Sequence, residues 1–123
     1  MDNSQLEVWG SGKQSKSYIH VSDCIDGFLF SASQTRKNVD VFNIGNIDKT
    51  DVLEIASIII NSMNLENVNV VTSGGTVDGR GWIGDVKNMH LDISKLINLG
   101  WKPKLNSNSA IKQASLELIN ENN

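Results

Sequence analysis

Two hydrophobic periods alternate along this chain. Leu6 to Trp9 alternates apolar and polar positions as a short strand does, Gly10-Ser11-Gly12 supplies a turn, and Ser15 to Val21 reads as a second extended segment. The two are expected to pair as a hairpin. Ser22 then suits a helix N-cap with Asp23 in the first turn, where a carboxylate interacts well with the helix dipole. From there to about Gln34, Cys24, Ile25, Phe28, Leu29 and Ala32 recur at helical spacing and form the expected inward face.

Val39 to Ile44 is β-branched and nearly all apolar, the signature of a strand covered on both faces, and it ends at Gly45. A parallel strand is predicted there. Asp51 and Glu54 form an Asp-x-x-Glu capping pair that opens a helix with Val52, Ile55, Ala56, Ile59, Ile60 and Met63 on its apolar face and Asn64 at a left-handed exit. Val68 to Thr72 reads as the next strand. Ser94 to Leu99 is a short helix stopped by Gly100, with Trp101 folding back and Pro103 beyond, and Ser107 or Asn108 caps a last helix with Ile111, Ala114 and Leu118 inward. The fold class is therefore mixed α/β, short strands with three to four helices, in one domain over residues 1–123.

With 123 residues the chain can bury one modest core. A net charge of −3, with 11 Lys and Arg residues scattered rather than gathered into a stripe, argues against a nucleic-acid partner. No apolar run reaches membrane-spanning length, and Met1-Asp2-Asn3-Ser4-Gln5 lacks the basic and apolar regions of a signal peptide, so a cytoplasmic protein with no membrane partner is expected. Cys24 is the single cysteine and His20 and His90 the two histidines, too few for a usual zinc site; no metal is expected.

The chemistry-bearing segment is Ser73 to Asn88, with five glycines and little periodicity. Gly79-Arg80-Gly81-Trp82-Ile83-Gly84 matches the letters of a dinucleotide fingerprint, but the residues after Gly84 carry neither a cap nor a helical apolar face, and a fingerprint needs a helix N-terminus there. A phosphate clamp fits better. The Arg80 guanidinium offers a planar fork matched to a diphosphate, and flanking glycines let the backbone approach a ligand closely; the alternative is a solvated Arg in a flexible loop. An exposed Trp82 indole is placed to stack on a base or sugar. Cys24 near His20 and Asp23 suggests a nucleophile, but on an inward helical face a thiol behaves as a small hydrophobe.

Four motifs stand in order: Lys16-Ser-Tyr-Ile-His-Val-Ser-Asp23, Val41-Phe-Asn-Ile-Gly45, Arg80-Gly-Trp-Ile-Gly-Asp-Val86 and Leu99-Gly-Trp-Lys-Pro-Lys104. Together, from about Glu7 to about Ile119, they resemble the C-terminal, substrate-side third of an extended short-chain dehydrogenase/reductase, the NAD-dependent nucleotide-sugar epimerase and dehydratase family typified by UDP-glucose 4-epimerase. The resemblance implies that Arg80 contacts a nucleotide diphosphate and that Asp85 lies near the ribose, although Arg and Asp stand five positions apart where many members have three. Lys16 stands where the family often has Arg, and Ser17 where it has Asp, so a point charge replaces a bidentate fork. Tyr18 matches an aromatic lining the nucleotide site, or else packs on the sheet. Val52 matches a position near the base but also fits its helix's apolar face, and Asn43 and Gly45 end the parallel strand at the edge where open α/β sheets place ligands.

The family's chemistry needs NAD on a glycine-rich turn and a Tyr-x-x-x-Lys pair. Tyr18 is the only tyrosine here, and the residue four positions on is Ser22. No catalytic residue is therefore assigned, and no cofactor is expected on this segment, NAD belonging to the parent enzyme. The expected partners are a nucleotide-diphosphate sugar and the NAD-binding half, with homodimerisation through the exposed edge of the 39–44 strand. A freestanding nucleotide-sugar binding module and a remnant without ligand are the alternatives.

Overall fold

The computed structural model describes residues 4–121. In chain order the elements are β1 (Gln5–Trp9), β2 (Ser15–Lys16), α1 (Val21–Gln34), β3 (Thr50–Asp51), α2 (Val52–Ser62), β4 (Asn69–Ser73), β5 (Asn88–Met89), α3 (Ser94–Asn98) and α4 (Ser107–Glu121). The mixed α/β class stands.

The expected hairpin does not form. β1 pairs in parallel with β4, Gln5 opposite Asn69 through Trp9 opposite Ser73, while β2 sits in a separate three-stranded sheet between antiparallel β3 and parallel β5. Alternation marks a strand but not its partner. Here Gly10 and Gly12, at φ +82° and +73°, turn the chain out of the first ladder and into the second.

A core of Ile93, Leu96 and Trp101, joined by Ile19, Phe30, Phe42 and Ile44, lies under α1 and α3. Gly100 takes φ +100°, and the Trp101 amide returns to the Leu96 carbonyl at 2.9 Å, so the indole folds back as expected. α2 packs on α4, and Asp51 caps α2 by accepting the Glu54 amide at 2.9 Å. Asn64 exits the helix at φ 52°. The α4 cap is Asn106, whose side chain accepts the Ser109 amide; Ser107 instead is buried and donates to Asp48. Leu118 faces outward rather than inward.

α1 shows the largest difference from the sequence reading. Its buried positions are Asp23, Gly27 and Ser31, whereas Ile25, Phe28 and Leu29 are 55%, 67% and 64% exposed and Cys24 is exposed too. Close approach explains the choice of face. A Cβ on Gly27 would stand 2.7 Å from the Trp101 ring, and the Asp23 carboxylate accepts the Lys104 and Leu105 amides at 3.0 Å each, so small and hydrogen-bonding residues belong under the helix. His20 caps it, two residues earlier than the expected Ser22: its ring accepts the Ser22 amide.

Residues 39–44 form no ladder among the described residues. Their burial still alternates, with Asp40, Phe42 and Ile44 turned inward and Val39 and Val41 80% and 74% exposed. This is a strand's side-chain pattern without a neighbouring strand to pair with.

Candidate functional site

The glycine loop between β4 and β5 is a tight turn laid against the end of β1. The Thr76 amide donates to the Arg80 carbonyl at 2.8 Å, the Gly79 amide to the Thr76 carbonyl at 2.8 Å, and the Ser11 amide crosses to the Gly79 carbonyl at 2.9 Å. Backbones pass too closely for side chains: a Cβ on Gly75 would lie 2.3 Å from the Arg80 carbonyl oxygen and 2.6 Å from Gly10 Cα. Arg80 thus closes the turn, its backbone bonded back to Thr76 and packed on Gly10 and Gly75.

Arg80 is not free there. Its Nε donates to both carboxylate oxygens of Asp78, at 3.1 and 2.9 Å. The Thr76 hydroxyl also donates to Asp78, and these bonds, Thr76 first and Arg80 second, hold the Asp78 carboxyl down to about 2. Lys87 reaches the same residue from β5's side, donating from Nζ to the Asp78 carbonyl at 2.6 Å.

The second charged pair lies deeper. Asp85 is buried and accepts from Lys16 Nζ at 3.0 Å and from the Gly81 amide at 3.2 Å. The Lys16 bond chiefly, with the Gly81 amide, lowers the Asp85 carboxyl below its usual range, against the opposing effect of burial. Gln14, also buried, donates to the Trp9 carbonyl at 2.9 Å and packs against Gly81.

Of the residues singled out by sequence, Lys16, Arg80 and Asp85 therefore come together around one loop. Trp82 sits on that loop with its side chain 56% exposed. Tyr18 does not join them: its amide donates to Ser107, its carbonyl accepts from Asn46, and its side chain lines a groove of about 340 Å³ with His20, Ile111, Ala114 and Glu117. Val52, half-buried at the start of α2, lies beside the Leu53 amide that donates to the Gly12 carbonyl at 3.2 Å. His20 turns its ring to Ser22 and Glu117 rather than to Cys24. Asn43 donates to the Asp92 carbonyl, while fully buried Asn46 ties Tyr18 to Leu105.

Sequence reasoning missed Asp78, Lys87, Gln14 and Asn46. The first had a signal: an acid two positions before an Arg across a Gly. Asn46 had only its place just beyond the Phe-Asn-Ile-Gly motif.

The fingerprint letters at Gly79 to Gly84 do not lead into a helix. The chain continues from them into a turn and β5, and the next helix, α3, begins only at Ser94, so no helix N-terminus meets a pyrophosphate there. Among the described residues there is no group of three or more His, Cys, Asp or Glu able to hold a metal, and no helix long and apolar enough to cross a membrane.

The model of the NAD dependent epimerase/dehydratase family matches residues 1–45. A putative UDP-glucose 4-epimerase of Methanocaldococcus jannaschii is 27% identical across 99% of the chain. The chain is similar to members of the NAD-dependent epimerase/dehydratase family. UDP-glucuronic acid decarboxylase 2 of Arabidopsis thaliana is a further relative, 32% identical over 81% of the chain. Among solved structures, a UDP-galactose 4-epimerase superposes with TM-score 0.73 at 31% identity over 97% of the chain. The chain spans only part of these relatives: 37% of the archaeal protein, 21% of the plant one and 37% of the crystallised epimerase.

Proposed function

We propose that this chain is the nucleotide-sugar binding portion of an NAD-dependent epimerase or dehydratase, with UDP-sugars the first ligand class to test. The observation that carries the reading is the glycine loop, which packs its backbone on the end of β1 and sets Arg80 beside the Lys16–Asp85 pair. Arg80 takes the diphosphate; Lys16 adds positive charge, Asp85 lies on the ribose side and Trp82 stacks on the base or sugar. Tyr18 and Val52 are the outlying members, on the nucleotide's far side.

Hydride and proton transfer belong, in this reading, to polypeptide outside these residues, and residues 1–123 alone are inactive. Two features favour an enzyme part over a freestanding module: the uncovered apolar face of α1, and the extended 39–44 segment without a ladder. Both suit a sheet and its flanking layer supplied by the NAD-binding half, and in that half's absence a second copy of the chain.

The test is calorimetric titration with UDP-glucose. Binding that Arg80→Ala removes supports the reading, and no binding at millimolar ligand rejects it in favour of a remnant. Restored epimerase activity on mixing with a separately expressed NAD-binding half then selects the enzyme part over the module.

A further inference from the structure

Three cations and two carboxylates meet at the glycine loop, and they are not equivalent. The Lys16–Asp85 pair has its carboxylate almost wholly buried, 3% exposed, with a second bond from the Gly81 amide. It is a fixed part of the loop's architecture. The Arg80–Asp78 pair lies at the surface, its side chains 33% and 52% exposed, where ion pairs are weak and exchange readily. Lys87 touches only a neutral carbonyl, that of Asp78, and among the described residues no carboxylate lies within ion-pair distance of it.

One residue therefore gathers both exchangeable cations. Asp78 presents its two carboxylate oxygens to Arg80 Nε, where a phosphate would present two of its own, and its carbonyl fixes the Lys87 ammonium alongside. We propose that Asp78 is a built-in competitor for the phosphate position on Arg80, and that Lys87 is the second cation of the diphosphate site, engaged when the ligand displaces Asp78. This rests on the nucleotide-binding reading above and deepens it.

The charges account for a preference between ligands. Lys16, Arg80 and Lys87 against Asp78 and Asp85 leave the loop a single net positive charge. A monophosphate offers one group to trade for Asp78, whereas a diphosphate offers two, one for Arg80 and one for Lys87, and so displaces the competitor more effectively. Asp78 thereby lowers affinity for every phosphate, and Lys87 supplies the preference for a diphosphate.

UDP and UMP titrated calorimetrically into the wild-type chain, Asp78→Asn, Asp78→Ser, Lys87→Met and Arg80→Ala test this. The Ser variant keeps a turn-forming hydroxyl should the Asn variant disturb the loop, and thermal melting checks each fold. Asp78→Asn or Asp78→Ser is expected to bind UDP about five-fold tighter, and Lys87→Met about five-fold weaker with a smaller loss for UMP, the order of one surface charge contact. Unchanged or weaker UDP binding by both folded Asp78 variants, or an unchanged UDP-to-UMP ratio in Lys87→Met, overturns the proposal while loss of binding in Arg80→Ala leaves the underlying reading standing. Absence of UDP binding in wild type and Asp78 variants alike overturns both.

Discussion

Gly10 and Asp23 show how single residues fix this fold. A Cβ on Gly10 would stand 2.7 Å from the Arg80 carbonyl, at φ +82°, so Gly10→Ala is expected to destabilise the chain by about 1–3 kcal/mol in urea unfolding and to displace the glycine loop. An unchanged midpoint would show that the loop does not rest on β1. Asp23→Ala strips two backbone amides of their acceptor under α1, a loss of about 2–3 kcal/mol by the same measurement. Asp85 sets an acid limb. Its folded carboxyl is lowered, so its contribution is complete above the ordinary carboxylate value near about 4 and fades as pH falls through the lowered folded value. In an acid titration of stability, Asp85→Asn should therefore flatten the limb below about pH 4 relative to wild type; an identical limb would sever this link. Arg80 and Asp85 were legible as residues; that Asp85 takes Lys16 was not, because it depends on β2 lying beside β5, which no local pattern encodes, whereas Asp78, two positions before Arg80, is a local partner the sequence does carry.

At the scale of elements, helices were easier to read than their orientation. The 3.6-residue period located α1 almost to the residue, and the same period pointed its apolar stripe inward, where the structure places Asp23, Gly27 and Ser31. Periodicity reports that a stripe exists and says nothing of which layer covers it. In this chain the stripe and the Trp101 contact compete for one helix, and the contact with Gly27 sets the inward face. Phe28→Ser or Leu29→Ser is accordingly expected to change stability by no more than about 0.5 kcal/mol, the range of exposed sites, while Gly27→Val unseats Trp101 and costs several times more. Equal effects from the two faces, read in denaturant melts, would contradict the described packing. Strands fared similarly: 39–44 has strand alternation but no ladder, and β1 found β4 rather than β2, because pairing is a long-range property.

Taken whole, the molecule carries more apolar surface than a small domain's own core requires. Ile25, Phe28 and Leu29 on α1, with Val39 and Val41 on the unladdered segment, give it two uncovered faces. Sedimentation across a concentration series is expected to show self-association that Phe28→Ser together with Val41→Lys suppresses; a clean monomer throughout would count against these faces as contact surfaces. The glycine loop lies elsewhere, on the β1–β4 side, so ligand recognition there does not wait on those faces being covered. The most direct test of the binding claim is a heteronuclear NMR titration of the labelled chain with UDP-glucose. Amide shifts concentrated at Gly79, Arg80, Gly81 and Asp85, and abolished in Arg80→Ala, are the predicted result; a silent glycine loop with shifts confined to the groove beside α4, or no shifts at all, would contradict it.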